Sequence, residues 1–194
     1  MKLHLAMLAA GTLAFAPMTA QAGVVEELRV GLTQHNICVL DCDNADKEDG
    51  PNVSAELVFA TPDFLDWALS PRPFLVGSIN TAGKTSFGGA GLQWSFDLTE
   101  TISIEPGIAY VIHDGATSNP FPDGDPRALT FSNENVLLGS EDLFRTSLAL
   151  TWHVNDQWGA QIMYEHLSHG QILGDGRNQG MDNLGLRLTY KFGG

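Results

Sequence analysis

The sequence predicts an all-β protein, a single-domain, eight-stranded antiparallel transmembrane β-barrel. Three observations predict it: an export signal at the start, short segments of alternating hydrophobicity through the rest, and aromatic residues that gather at one end of those segments when they are run alternately up and down.

Residues 1–22 carry one charge, Lys2, then apolar and small residues from Leu3 to Thr19, and close on Ala20-Gln21-Ala22. A charged start, an apolar middle and a small-x-small end form the pattern of a secretory signal peptide. The expected mature chain is therefore 23–194, about 172 residues, the size of one ordinary domain. No later stretch reaches the roughly 18 unbroken apolar residues of a spanning helix. A membrane location then requires a closed barrel, which alone among strand structures satisfies every backbone group in hydrocarbon. The formal charge of −13 repels phosphate backbones, so nucleic acid is not an expected partner.

Strands are expected near 25–34, 53–60, 73–80, 86–97, 102–113, 142–154, 158–168 and 183–192, each a period-2 segment bounded by turn residues. The alternation is plainest late in the chain. Ile102, Ile104, Ile108, Tyr110 and Ile112 interleave with Ser103, Glu105, Gly107, Ala109 and His113; Leu184, Leu186, Leu188, Tyr190 and Phe192 interleave with Asn183, Gly185, Arg187, Thr189 and Lys191. Gly88, Gly89 and Gly91, inside the fourth segment, read as a bend or a close approach of the wall.

Alternation by itself fits a soluble sandwich as well as a membrane barrel. The connections favour the barrel: long polar stretches at 35–52 and 114–141 alternate with mostly shorter links, although 61–72 is an exception. Up-and-down threading also brings Trp94, Phe96, Trp152, Trp158, Tyr190 and Phe192 to one, periplasmic, end, as an interfacial girdle requires. Glu27, Arg29, Glu56, Glu105, Arg145, Glu165, Arg187 and Lys191 share the polar parity. An eight-stranded lumen is filled by such side chains, so an ionic network is expected and a channel is not.

Candidate chemistry lies at the end of the seventh segment. With Trp158, Ala160, Ile162 and Tyr164 facing lipid, parity puts His166 and Ser168 on the same outer face, about 7 Å apart along the chain. From Trp158 to Ser168 the strand rises roughly 33 Å, or about 23 Å along the membrane normal when tilted, close to the apolar band of about 25 Å. The pair is thus expected at headgroup depth, where a lipid ester begins. Asp182, on the parity of Leu184 and Leu186 in the last segment, can face the same patch. Serine needs a base to take its proton, and the base works best when a carboxylate fixes its tautomer; Ser168, His166 and Asp182 can fill those roles. The competing reading is a strand turning polar as it leaves the membrane. Cys38 and Cys42, four apart in an exported polar stretch, read as a small loop disulfide; with His35 alone beside them they fall short of a zinc pattern. The acidic run Asp41, Asp43, Asp46, Glu48 and Asp49 misses the spacing of a calcium loop and reads as a solvated face. No metal or cofactor is expected.

The stretch MYEHLSHGQILGDGRNQGMDNLGLRLTYKF resembles the C-terminal signature of the PagL-type lipid A 3-O-deacylases, in which His-x-Ser-Asn is followed by a loop and an acidic residue shortly before the last strand. LRVGLTQHN near residue 28, SPRPFLVGSINTAGKTSFGGAGLQW at 70–94 and SEDLFRTSLAL at 140–150 are similar to relatives as well. The resemblance implies a barrel with its active site on the outer wall, releasing the ester-linked acyl chain at position 3 of lipid A without metal. It implies His166 as general base, Ser168 as nucleophile and Asp182 as the acidic member, usually glutamate. His169 stands where the family usually has asparagine; His169 and Asn178 are the candidates for oxyanion or supporting contacts. The expected surroundings are the bacterial outer membrane, lipid A as substrate, membrane lipid along the wall, and a second copy in a homodimer. Two rivals stay open: a structural or adhesive barrel on the same scaffold without catalysis, and, further off, a soluble lipid-binding barrel.

Overall fold

Strands β1 (Val25–Gln34), β2 (Pro51–Phe59), β3 (Arg72–Asn80), β4 (Phe87–Gln93), β5 (Phe96–Asp97), β6 (Ile102–His113), β7 (Asp142–His153), β8 (Trp158–Ser168) and β9 (Met181–Lys191) form one antiparallel sheet in a computed structural model. It describes residues 24–45, 47–175 and 177–193, so the leader expected at 1–22 lies outside the described residues. Pairing of β1 with β9 and of β4 with β6 closes the sheet on itself. Because β4 and β5 are two pieces of one wall strand, the nine segments make an eight-stranded barrel, and closure removes the sticky edges an open sheet would present. No helix among the described residues is long and apolar enough to cross a membrane; the strands do so.

The expected segment 86–97 is interrupted at Trp94 and Ser95. The cause sits opposite, in β6: Pro106 has no N–H to give to the ladder, and only its carbonyl accepts, from Trp94 N at 2.9 Å. Above the break, Gly89 and Gly91 let β4 lie tight on β6, since a Cβ at either would fall on the carbonyls of Tyr110 and Ile108.

Side-chain alternation separates two environments. Leu184, Leu186 and Leu188 are 45, 67 and 62% exposed, while the intervening Gly185, Arg187 and Thr189 are buried. A sandwich would have buried the leucines; here they form an apolar outer wall. At the end that carries the termini, Trp158 packs on Tyr190 with ring centroids 4.8 Å apart and Tyr190 meets Phe192 edge-on at 5.3 Å, a girdle suited to the headgroup level.

The lumen is ionic. Arg29 pairs with Glu27 at 2.9 Å and Glu105 at 2.7 Å, Arg145 with Glu165 at 2.6 Å, Arg187 with Glu56 at 2.7 Å, and Arg72 with Glu27 at 2.9 Å. Arginine and glutamate alternate across the barrel axis, so desolvation of each charge is offset by close partners. Lys191, expected in this network, is half-buried at the terminal end and makes no ion pair with it among the described residues. Towards the opposite end the filling turns apolar: Phe87, Val111, Leu143, Leu167 and Met181 cluster with Val136 and Leu138 of the 114–141 loop, which lie on top. That loop also carries helix α1 (Pro126–Glu134).

Candidate active site

Antiparallel pairing of β8 with β9 sets His166 directly across from Asp182, with Tyr164 opposite Leu184. The parity that turns Ile162 outward, 54% exposed, carries Tyr164, His166 and Ser168 to the same face. His166 Nδ1 lies 2.8 Å from Asp182 Oδ1. A carboxylate oxygen can only accept, so Nδ1 carries the hydrogen, and in the neutral ring the lone pair then falls on Nε2, the tautomer a general base requires. Tyr164 was expected simply to face lipid; its hydroxyl instead donates to the same Oδ1 at 2.7 Å.

Asp182 is fully buried although it stands on the outer face. The segment after β1 folds over it. Asn36, with φ of 49°, turns the chain, Ile37 N donates to the Asp182 carbonyl at 2.7 Å, and the backbone amides of Val39, Leu40 and Asp41 converge on Oδ2 at 3.2, 2.5 and 3.0 Å. Successive amides aimed at one point make an anion-binding nest. Cys38 and Cys42 form a disulfide across those three residues. The Asp41 carboxylate comes to 3.6 Å from His166 Nδ1, and only glycine fits at 180, where a Cβ would strike both the Asp41 carboxylate and the His166 ring.

Asp41, His166 and Asp182 each offer a metal-ligand atom, all within 4.8 Å of one another. The Asp182 carboxylate, however, already accepts from three amides, a phenol and an imidazole, which fills its roughly four lone-pair directions. A cation would have to displace these donors.

Ser168 closes β8 half-buried, opposite Phe144 of β7. Among the described residues no hydrogen bond joins its hydroxyl to His166. The structure thus brings His166 and Asp182 together and leaves Ser168 on their face without that contact. Without a bound substrate such bonds are often long and tighten only in the reacting complex. His169 is buried, and both ring nitrogens serve the loop: Nε2 donates to Arg177 O at 3.2 Å and Nδ1 accepts from Gln171 N at 3.2 Å. Its side chain supports the loop and is not free to meet an oxyanion. The His169 amide donates to Asn178 Oδ1 at 3.2 Å, which orients that side chain and leaves Asn178 Nδ2 as a donor.

Glu48 also departs from the solvated face expected for the acidic run. It is buried and joins three loops, accepting from His35 Nε2 at 3.0 Å, Thr85 N at 3.1 Å and Val136 N at 2.9 Å. Burial pushes this carboxyl up, but the His35, Val136 and Thr85 hydrogen bonds outweigh it and hold the group below its ordinary range.

Fold and site together define a class: a small outer-membrane barrel that carries an acid–imidazole pair and a neighbouring serine on the lipid-facing side of its loop end. The model of the lipid A 3-O-deacylase (PagL) family matches residues 86–191, more than half of the chain, and the chain belongs to that family. The match takes in β4 to β9, with His166, Ser168 and Asp182 inside it; the resemblances noted near residue 28 and over 70–85 fall outside it. Among solved structures the chain is similar to the outer membrane enzyme PagL, with TM-score 0.55 and 10% identity over 86% of this chain and 99% of that one. It is also similar to Neisserial surface protein A, with TM-score 0.50 and 10% identity over 88% and 98%. At such identities the likeness is one of fold. A search of curated proteins by sequence finds no match.

Proposed function

We propose that the protein is an outer-membrane serine esterase that hydrolyses the 3-O-linked acyl chain of lipid A, after export into the periplasm on the leader at 1–22. The observation that carries this reading is the 2.8 Å contact between His166 Nδ1 and a fully buried Asp182 on the lipid-facing side of the wall. An imidazole held in that tautomer has little structural purpose on an apolar surface, and family membership supplies the substrate class.

In the proposed reaction His166 Nε2 takes the Ser168 hydroxyl proton as Oγ attacks the ester carbonyl carbon. Asn178 Nδ2 is the candidate donor to the developing oxyanion, a contact of the kind worth about 3 kcal/mol. The tetrahedral intermediate collapses by breaking the bond to the sugar oxygen, which takes the proton back from His166. Water, deprotonated by the same Nε2, then attacks the acyl-serine; the fatty acid leaves and Ser168 regains its proton. Asp182 stabilises the imidazolium throughout and is not itself protonated. The acyl chains of the substrate would lie along Ile162, Leu184 and Leu186, so a closed pocket is not needed.

Purified protein mixed with lipopolysaccharide should release a 3-hydroxy fatty acid detectable by mass spectrometry, and Ser168→Ala should reduce release to background. Undiminished release by that variant would remove the assignment. The missing Ser168–His166 hydrogen bond favours a second reading, a structural or adhesive barrel on the same scaffold. A fluorophosphonate probe separates the two, because it labels an activated serine and leaves an idle one untouched.

A further inference from the structure

Asp182 owes its burial and most of its hydrogen bonds to a segment that begins 143 residues earlier in the chain, at Val39, in a part of the sequence outside the family match. Val39, Leu40 and Asp41 are the residues enclosed by the Cys38–Cys42 disulfide, and all three amides point at one carboxylate oxygen. Ordinary loops seldom converge three successive N–H groups, because each must give up its hydration and its conformational freedom together. The cross-link removes much of that freedom before Asp182 is met. The loop is further tied down by Ile37 N to the Asp182 carbonyl at 2.7 Å and Asn36 N to Asn183 Oδ1 at 2.9 Å, so it is anchored to β9 at the level of the relay acid.

The two carboxylate oxygens have separate duties. Oδ2 belongs to the loop; Oδ1 belongs to Tyr164 and His166. A short aspartate, reaching an imidazole directly across the strand pair, would otherwise be free to rotate and offer either oxygen. With Oδ2 held, rotation is blocked and Oδ1 stays on Nδ1.

Resting on the hydrolase reading above, we infer that the Cys38–Cys42 loop is the positioning element of the relay acid: its three amides clamp Asp182 Oδ2 so that Oδ1 fixes the His166 tautomer, and opening the disulfide disarms the imidazole while the barrel stays folded. Both cysteines are exposed, so a reductant can reach the bond in the assembled protein, and lumen and wall share no covalent dependence on it. Activity is thereby tied to the oxidising conditions in which an exported disulfide persists.

The test uses the full-length folded barrel in detergent micelles, reduced in place with a phosphine, beside a Cys38→Ser/Cys42→Ser variant. Three readouts are taken: ¹⁵N shifts of labelled His166, which distinguish an Nδ1–H from an Nε2–H ring; kcat and KM for acyl release; and heat-shifted gel mobility as a check on the barrel. The expected result is a shift of His166 away from the Nδ1–H form and a fall in kcat of ten-fold or more with KM unchanged. In an Asp182→Asn background, opening the loop should cost nothing further, since the clamp then has no carboxylate to hold. If the serine variant fails to fold, reduction of the assembled wild type carries the test alone. An unchanged His166 tautomer on reduction would overturn the inference, as would losses that add in full to those of Asp182→Asn. A tautomer shift in a protein that never releases fatty acid would uphold the clamp and dispose of the hydrolase reading, so the two fail separately.

Discussion

Glu56 and Asp182 are both buried carboxylates in the same barrel, held in opposite ways. Glu56 lies in the lumen among Arg29, Arg145 and Arg187, at 3.2, 3.5 and 2.7 Å. Asp182 lies under a loop on the outer wall and, among the described residues, meets no arginine or lysine; its donors are amides, a phenol and an imidazole. Fixed cations cancel the charge of Glu56 and leave nothing to respond to a reaction. Neutral dipoles stabilise the charge of Asp182 without cancelling it, so its field remains available to an imidazole that gains a proton. Location within one strand pattern, facing in or facing out, therefore sorts acidic residues into scaffold and candidate chemistry.

That contrast breaks most sharply at Asp182. Asp182→Asn keeps the shape and can still accept through one oxygen, but an amide that donates towards His166 favours the wrong tautomer. The expected fall in kcat is about 10⁴-fold, the size seen when a relay aspartate is replaced in a serine protease, with gel mobility and strand content unchanged. A variant that retained full activity would place the acid elsewhere, with Asp41 the first alternative at 3.6 Å.

Glu56→Gln should do the reverse. Removing the anion leaves guanidinium groups facing one another in a dry lumen, a loss on the order of 3–5 kcal/mol. The expected outcome is a lower urea midpoint for folding into lipid vesicles, with kcat per folded molecule unaltered. If activity fell in proportion to neither stability nor folded fraction, lumen and wall would be coupled and the division drawn above would fail.

How much of this was legible beforehand follows from what each feature depends on. Strand parity is a local property, so the outward stripe with His166 and Ser168, the facing Asp182, and the inward Arg29, Glu56, Arg145 and Arg187 could all be read from alternation, and observed strand limits lie within two residues of those expected. The closed eight-stranded barrel needed more than alternation, namely the loop lengths and the aromatic girdle, and membership of the family was legible only as a resemblance of the stretch that holds His166, Ser168 and Asp182. The break at Trp94 could have been suspected from Pro106 in the neighbouring strand, but only once pairing was known. What alternation cannot carry is a loop folding back across the wall. Nothing periodic announces that Val39, Leu40 and Asp41 seat on Asp182, that Glu48 of an acidic run is buried at a junction of loops, or that the Tyr164 hydroxyl turns to a carboxylate. Two cysteines four apart marked the loop, and its destination was written only in three dimensions.

A smaller effect probes the shared oxygen. Tyr164→Phe removes one of the two donors to Asp182 Oδ1 at a cost typical of a hydrogen bond to a charged group, about 1.5–3 kcal/mol, shared between stability and catalysis. A fall in kcat of about ten-fold with KM unchanged is expected. Equal activity would show that the loop amides alone are sufficient to orient the carboxylate.

The mildest test concerns the loops around the site and their response to acid. Because hydrogen bonds from His35, Val136 and Thr85 hold Glu48 below the ordinary value of 4.5, its contribution to loop stability is complete above that value and is lost as pH falls through the lower, folded one. Amide protection of Thr85 and Val136 should accordingly drop in acid while that of β8 and β9 persists. In Glu48→Gln the same amides should start less protected, by about 1–3 kcal/mol, and show no further acid-dependent loss of that origin. Protection at Thr85 and Val136 that ignored both pH and the substitution would mean that apolar packing of Val136 and Leu138 on the barrel end secures the loops, and that the buried glutamate merely accompanies them.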